Sequence, residues 1–260
     1  MVADVENKAF AFIACVNDEA LWQRCEQHLK ELIVPPGYDV EIIKKIGATN
    51  IARAYNEALA QSKAKYKVYL HQDTFVLNKN FLLDLLTLFA DPKIGMIGVQ
   101  GGTRLPKSGV WFHDGLHSFG TILRIGTIGG IGNSLIPAAW NKRKVRKLSY
   151  LPIWKPYLPV ACIDGLLMAT QYDLPWREEL YGGFIYYEGP QCLEFIKKGY
   201  RVIVPRQKRP WCLHVGADRT AAEDEVYHRE FSRVMEIFKA AYGSFLDKHI
   251  REIEKLLQPD

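Results

Sequence analysis

The 260-residue chain predicts an α/β fold: a mostly parallel sheet flanked by helices, with a loop-rich basic insert and a C-terminal helical extension. Three observations carry this reading. Over the first hundred residues, short apolar runs alternate with segments of helical apolar spacing, the β-α-β order of a parallel sheet. From Gly101 to about Tyr157 that regularity lapses into glycines, prolines and a basic cluster. From about Thr220 to Leu257 a long amphipathic stretch closes the chain.

The elements follow in order. Phe10–Val16 is a continuous apolar run of the kind covered on both faces, with Asn17-Asp18-Glu19 at its carboxyl end. A helix starts near Asp18, with Leu21, Trp22, Cys25, Leu29, Leu32 and Ile33 at helical spacing, and Pro35-Pro36-Gly37 ends it. Tyr38–Lys44 is the second strand. Thr49 or Asn50 caps a helix from Ile51 to about Ser62, and Lys67–Leu70 is the third strand, ending at His71-Gln72-Asp73. Asn78 to Ala90 reads as a helix stopped by Asp91-Pro92, and Ile94–Val99 as a fourth strand. The order makes this a Rossmann-like, doubly wound parallel sheet. Past the irregular stretch, Val160–Thr170 is strand-like around Asp164-Gly165, Glu188–Lys198 a short helix and Tyr200–Val204 a strand. The closing helix is expected to break near Gly243, where glycine weakens it. No internal repeat is present, and residues 1–260 read as a single domain.

Composition narrows the function classes. With 34 Lys+Arg, 29 Asp+Glu and 48% hydrophobic residues, the chain is neither disordered nor fibrous. The net charge of +5 is unevenly spread. Segment 104–155 holds nine basic residues and one acid, Asp114, for a net of +8, and the other 208 residues carry −3. No uncharged apolar stretch reaches the roughly 18 residues of a spanning helix. The acids Asp4 and Glu6 precede the first apolar run, unlike a secretory signal, so a cytoplasmic protein is expected. Five cysteines without a Cys-x-x-Cys pair indicate reduced, buried thiols rather than a disulfide or zinc framework.

In open α/β sheets, ligands bind outside the carboxyl ends of the strands. That rule selects Asn17-Asp18, Gly47-Ala48-Thr49-Asn50 and His71-Gln72-Asp73. Asp73, with His71 two residues earlier, can offer an oxygen ligand to Mg2+ or Mn2+, which bind through one or two carboxylates plus phosphate oxygens. The same aspartate also suits a turn or helix cap. Arg53 and Asn56 share a helix face that can touch a nucleotide or simply face solvent, and Asn17, Asp18 and Asn50 stand where base and ribose contacts are made.

These residues carry a resemblance. Ile13-Ala14-Cys15-Val16-Asn17-Asp18-Glu19, Ile51-Ala52-Arg53-Ala54-Tyr55-Asn56-Glu57-Ala58 and Tyr69-Leu70-His71-Gln72-Asp73 together resemble glycosyltransferase family 2, with a GT-A fold, nearest the streptomycin-biosynthesis StrF-type subgroup. The likeness covers residues 9–102 and 160–215. It implies an inverting, hexosyltransferase-type enzyme of bacterial polysaccharide or glycoconjugate synthesis, using a nucleotide diphosphate sugar, a UDP-sugar foremost. It further implies a divalent metal, Mn2+ or Mg2+, at Asp73 with His71 as its partner position, although the usual Asp-x-Asp here reads His-x-Asp. Asn17, Asp18, Glu19, Asn50, Arg53, Asn56 and Gln72 become the nucleotide-binding set. Asp164 and Gly165 resemble the segment lining donor and acceptor sugars. His214 stands where some such enzymes have a late metal ligand, or is a hydrogen-bonded core histidine. Glu188, in Tyr187-Glu188-Gly189-Pro190, falls on the general-base position; on its own it equally reads as a helix N-terminal acid favoured by the helix dipole, at about 0.3–1 kcal/mol.

The insert invites rival readings. His113 and His117, four apart, would face a common zinc ion on a helix, but Gly115 argues against a helix. The run Lys142 to Lys147 lacks the interleaved aromatics of a nucleic-acid platform, so no nucleic-acid partner is expected. It suits a saccharide or lipid-linked anionic acceptor, or peripheral contact with an anionic inner membrane face, at roughly 1 kcal/mol per basic residue; it also suits a solvated loop. Trp111, Trp140 and Trp154 are candidate sugar platforms. The alternative from another class is a non-catalytic nucleotide-sugar-binding module. Oligomeric state is not readable from the sequence.

Overall fold

The computed structural model describes residues 8–106, 108–125, 145–180, 182–216 and 221–256. Lys107, Trp140 and the basic residues Lys142, Arg143 and Lys144 lie outside them. In chain order the elements are β1 (Ala9–Val16), α1 (Glu19–Lys30), β2 (Asp39–Ile46), α2 (Ile51–Gln61), β3 (Tyr66–Leu70), β4 (Thr74–Val76), α3 (Phe81–Phe89), β5 (Ile94–Gly98) and β6 (Gln100–Gly102). Two 3-10 turns, Trp111–His113 and Gly115–His117, lead to β7 (Ser118–Ile125), β8 (Arg146–Ser149), β9 (Tyr157–Pro159), β10 (Cys162–Ile163) and β11 (Leu167–Thr170). Then come α4 (Glu188–Lys197), β12 (Arg201–Pro205), β13 (Cys212–Val215) and α5 (Ala221–Leu256).

The mixed α/β class is as expected. β1 pairs in parallel with β2 and β3, one strand in from the edge of a seven-stranded sheet ordered β2-β1-β3-β11-β5-β12-β9. Its alternating side chains explain its continuous apolar run: Ala9, Ala11 and Ile13 enter one core cluster, and Phe10, Phe12, Ala14 and Val16 the other. Asp18 caps α1 by accepting from the Leu21 N–H at 2.9 Å, and Trp22, Cys25 and Leu29 of that helix are buried. Asn50 caps α2 in the same way, accepting from the Arg53 N–H at 3.1 Å.

Three expectations need correction. The parallel order read over the first hundred residues is interrupted between β3 and β5, because β11 inserts antiparallel between them. The apolar run Val160–Thr170 breaks where Asp164 Oδ1 accepts from the Leu166 N–H at 3.0 Å, a turn that returns the chain. A strand buried on both faces reads alike in either direction, so composition does not reveal this. Next, the stretch expected to be irregular holds the eight-residue β7, whose apolar pattern is interrupted by Gly120 and Arg124. It joins a second sheet, β10-β6-β7-β13-β4, with β8 along β7. Finally, α5 runs through Gly243 without a break. Val234, Phe238 and Tyr242 are buried in the core, and tertiary packing outweighs the roughly 1 kcal/mol cost of one helical glycine. No helix among the described residues is long and apolar enough to cross a membrane.

Candidate functional site

The carboxyl ends of β1, β2 and β3 surround a cavity of about 260 Å3 whose lining includes Asn17, Gly47, Tyr55, His71, Asp73 and Tyr187. Gln72 ties two of these ends together. Its Oε1 accepts from the backbone N–H groups of Asn17 (2.9 Å) and Asp18 (3.0 Å), and its Nε2 donates to Asn17 Oδ1. On the far wall the Ile51 N–H, at the first turn of α2, donates to Gly183 O at 3.0 Å. That bond docks the segment before α4 against the N-terminus of α2 and brings Phe184 to the rim.

The sequence candidates for nucleotide contact separate here. Asn17 and Gln72 line the cavity. Asp18 and Asn50 spend their side chains as helix caps beside it. Arg53 pairs with Glu178 at 3.3 Å, and Glu19 with Lys44 at 2.9 Å, both outside the cavity lining. Asn56 is turned inward: its Nδ2 donates to Trp176 O (2.9 Å) and its Oδ1 accepts from Trp176 N–H (2.8 Å). Both polar ends are thereby used, so the helix-face reading of Asn56 as a nucleotide contact gives way to a brace between α2 and the 176 segment.

His71 and Asp73, both in the β3–β4 turn, come together with His214 of β13, with candidate ligand atoms all within 4.8 Å of one another. His71 Nδ1 is 3.8 Å from Asp73 Oδ1, and His214 Nε2 is 3.4 Å from Asp73 Oδ2. The Tyr187 hydroxyl lies 3.0 Å from Gly165 O and 2.7 Å from His71 Nε2. When its one proton goes to the Gly165 carbonyl, it accepts from His71, and Nε2 then carries the ring hydrogen. Burial, outweighing the pull of Asp73, holds the imidazole below its usual range, and in that tautomer a neutral ring turns an Nδ1 lone pair toward Asp73 Oδ1. Burial alone would raise the Asp73 carboxyl, but hydrogen bonding and charge from His214, with charge from His71, hold it low. Asp73 Oδ1 is buried without a hydrogen-bond partner. A lone pair facing a carboxylate oxygen that lacks a partner is costly unless a cation lies between them. Two imidazoles and one carboxylate fit a divalent transition ion, with Mn2+ nearer the set's preference than Mg2+.

Beyond His71 the chain sets a carboxyl group at the start of α4. Tyr186 adopts a left-handed φ of 58° and donates to Gly109 O at 2.6 Å, anchoring the turn to the insert. Tyr187 and Glu188 then face Gly165, where an added Cβ would lie 2.8 Å from Tyr187 Oη and 3.3 Å from Glu188 Oε2. Glycine is required for that approach. Burial pushes the Glu188 carboxyl up to about 8, a backbone hydrogen bond works against this, and the charge of Asp164 adds to it. Asp164 itself holds the turn into β11.

The tryptophans divide. Trp154 is 82% exposed beside β12, whereas Trp111 is 3% exposed and packs edge-on against Tyr150. A sugar platform needs an open face, so the expectation for Trp111 is corrected. His117 pairs with Asp114 at 2.7 Å and His113 meets Ser108, so these two histidines do not share a metal site. Sequence reasoning missed Tyr187; its only signal was adjacency to Glu188.

Residues 11–235 match the family described as glycosyltransferase like family. No curated protein sequence matches the chain. Among solved structures, the chain is similar to the mannosyltransferase PcManGT from Pyrobaculum calidifontis, in complex with GDP-Man and Mn2+, at 13% identity and a TM-score of 0.46, covering 84% of this chain and 59% of that one. It is also similar to S. aureus TarS, at 12% identity and a TM-score of 0.45, covering 80% of this chain and 37% of that one. TarS 1-349 in complex with UDP-GlcNAc gives 10% identity, a TM-score of 0.45, and coverage of 83% and 60%. The chain thus spans less than two thirds of the length of each of these three.

Proposed function

The chain belongs to the glycosyltransferase-like family, and from that premise we propose that it moves a hexosyl group from a nucleoside diphosphate sugar to a hydroxyl acceptor, with inversion at the anomeric carbon. The observation that carries this reading is the buried, unpartnered Asp73 oxygen between two histidines on the wall of the strand-end cavity. Asp73, His71 Nδ1 and His214 would hold a divalent cation, which when bound neutralises charge on the departing diphosphate. The nucleoside would occupy the cavity between Asn17, Gly47 and Tyr55, with a UDP-sugar the first candidate. Glu188 takes the proton of the attacking hydroxyl, and Asp164 faces the sugars across Gly165. An anionic acceptor, saccharide or lipid-linked, approaches from the insert, where Trp154 offers an open face. Peripheral contact with an anionic membrane on the cytoplasmic side belongs to the same proposal.

Thermal-shift measurements with UDP, GDP, dTDP and CDP, each with and without Mn2+, test the donor. One nucleotide is expected to stabilise the protein in a Mn2+-dependent way, by about 2.7 kcal/mol at a hundredfold excess over Kd. Stabilisation by none of the four would sink the reading.

A smaller effect isolates Tyr187. Tyr187→Phe keeps the ring contacts with Tyr55 and Trp176 but removes the acceptor for His71 Nε2–H. Mn2+ affinity, followed by electron paramagnetic resonance of the free ion, is expected to fall by about 10–100-fold, the usual cost of losing a group that orients a ligand.

A further inference from the structure

A row of basic side chains leads away from the Asp73 cluster. Thr74 of β4 is paired with His214 of β13, His214 with Arg124 of β7, and Arg124 with Arg146 of β8. Residues directly paired across strands stand on the same face of a sheet. His214, Arg124 and Arg146 therefore form one line on the face that bears the Asp73 cluster. With strands spaced about 4.8 Å, Arg124 lies about 5 Å and Arg146 about 10 Å beyond His214, on the side away from β4.

Two features of this row are unfavourable on their own. Like charges placed directly opposite across a strand pair destabilise a sheet, yet Arg124 and Arg146 are so placed. Arg124 also keeps its Nε buried without a hydrogen-bond partner, which costs more for a charged donor than for a neutral one. Its guanidinium runs past Gly216, where an added Cβ would lie 3.0 Å from Nη2, so a larger residue there would displace it. Burial raises the Tyr150 hydroxyl, with the Asp164 charge adding to the shift and the Arg124 charge opposing it. A planar, multiply donating cation with an unused buried N–H is the group that binds phosphoryl oxygens best.

We propose that Arg124, with Arg146 beside it, forms an anion subsite for a phosphoryl group of the acceptor. The assignment to the acceptor rests on the donor reading above: a diphosphate at Asp73 leaves the donor sugar, and then the acceptor, to extend along the row toward β7 and β8. The same chemistry would suit the donor diphosphate if it reached one strand further, and the test separates the two sources.

The probe is inorganic phosphate, titrated by calorimetry into the full chain in phosphate- and sulfate-free buffer. One arm contains protein alone and a second contains the nucleoside diphosphate and Mn2+ at saturation. Phosphate is expected to bind in both arms, and Arg124→Gln to weaken it by about tenfold or more, as befits loss of a charge-assisted bond. Arg146→Gln, at the outer strand, weakens it less. Because Arg124→Gln also relieves like-charge opposition, its melting temperature without ligand is expected to equal or exceed that of the parent, whereas a purely structural arginine would lower it. Phosphate binding that is absent in the parent, or unchanged in Arg124→Gln, overturns the subsite. Binding abolished by the nucleotide assigns the arginines to the donor and overturns the acceptor assignment. Phosphate binding that depends on Arg124 while no nucleotide binds leaves the subsite standing and removes the donor reading instead.

Discussion

Glu188→Gln is expected to lower kcat for sugar transfer by about 10²–10⁴-fold, the range a positioned general base supplies, while Mn2+-dependent nucleotide binding stays within about twofold. The variant is nearly isosteric and keeps the helix start, so only the proton acceptor is lost. In the parent protein burial raises the carboxyl to about 8, with Asp164 adding to it. A base must be ionised to act, so kcat/KM is expected to rise about tenfold per pH unit below 8 and to level off above it. That limb is absent from Glu188→Gln. Stability moves in the opposite sense. An unfolded Glu titrates near 4.3, so this group's contribution to folding is fully present below about pH 4.3 and is lost as pH rises through 8. Glu188→Gln is therefore expected to melt higher than the parent at pH 8.5, the difference vanishing below about pH 4.3. Activity against stability at pH 8.5, for one substitution, is the trade expected where a buried charge serves function. A pH–rate limb near 4, or transfer unchanged in the variant, would remove Glu188 from the role.

How far the sequence could reach is set by which signals are local. β1, α1, β2, α2 and β3 are legible because a run such as Phe10–Val16, or the spacing of Trp22, Cys25 and Leu29, declares its period within a dozen residues. The strand-end rule then picks out Asn17, Asn50 and Asp73 without any knowledge of packing. What depends on distant pairing is silent. β11 reads as a strand but not as an antiparallel one between β3 and β5, and β7 hides behind Gly120 and Arg124 because its partners are β6 and β13, more than ten residues away. The same holds for side chains. Nothing in the sequence joins Tyr187 to His71, which lie 116 positions apart, or sets Asn56 against Trp176 instead of toward the cavity. Arg124 entered the sequence reading only as one charge in the +8 insert. Its place beside His214 is a property of strand register, which one residue of slip would reverse.

Asp73→Asn is expected to weaken Mn2+ binding by more than 100-fold and to reduce transfer by about 10³-fold or more. These losses exceed those at Tyr187, because Asp73 is the one carboxylate between His71 and His214. The amide supplies no negative charge, and its NH2 group would set a donor where a cation belongs. Removal of metal from the parent with a chelator should reproduce the loss and addition of Mn2+ should reverse it, with Mg2+ less effective because two of the three ligands are imidazoles. The variant and Glu188→Gln then part company on one measurement: nucleotide stabilisation by Mn2+ disappears in Asp73→Asn and persists in Glu188→Gln. If both lost it, Glu188 would be acting on the donor site through Tyr187 and Gly165; if neither did, the His71–Asp73–His214 cluster would be a hydrogen-bonded brace between β3 and β13. Mn2+ paramagnetic resonance on the two proteins decides among these outcomes. Full transfer by Asp73→Asn in the presence of a chelator would show that the departing diphosphate is stabilised by protein cations alone, with Arg124 the arginine in register with His214.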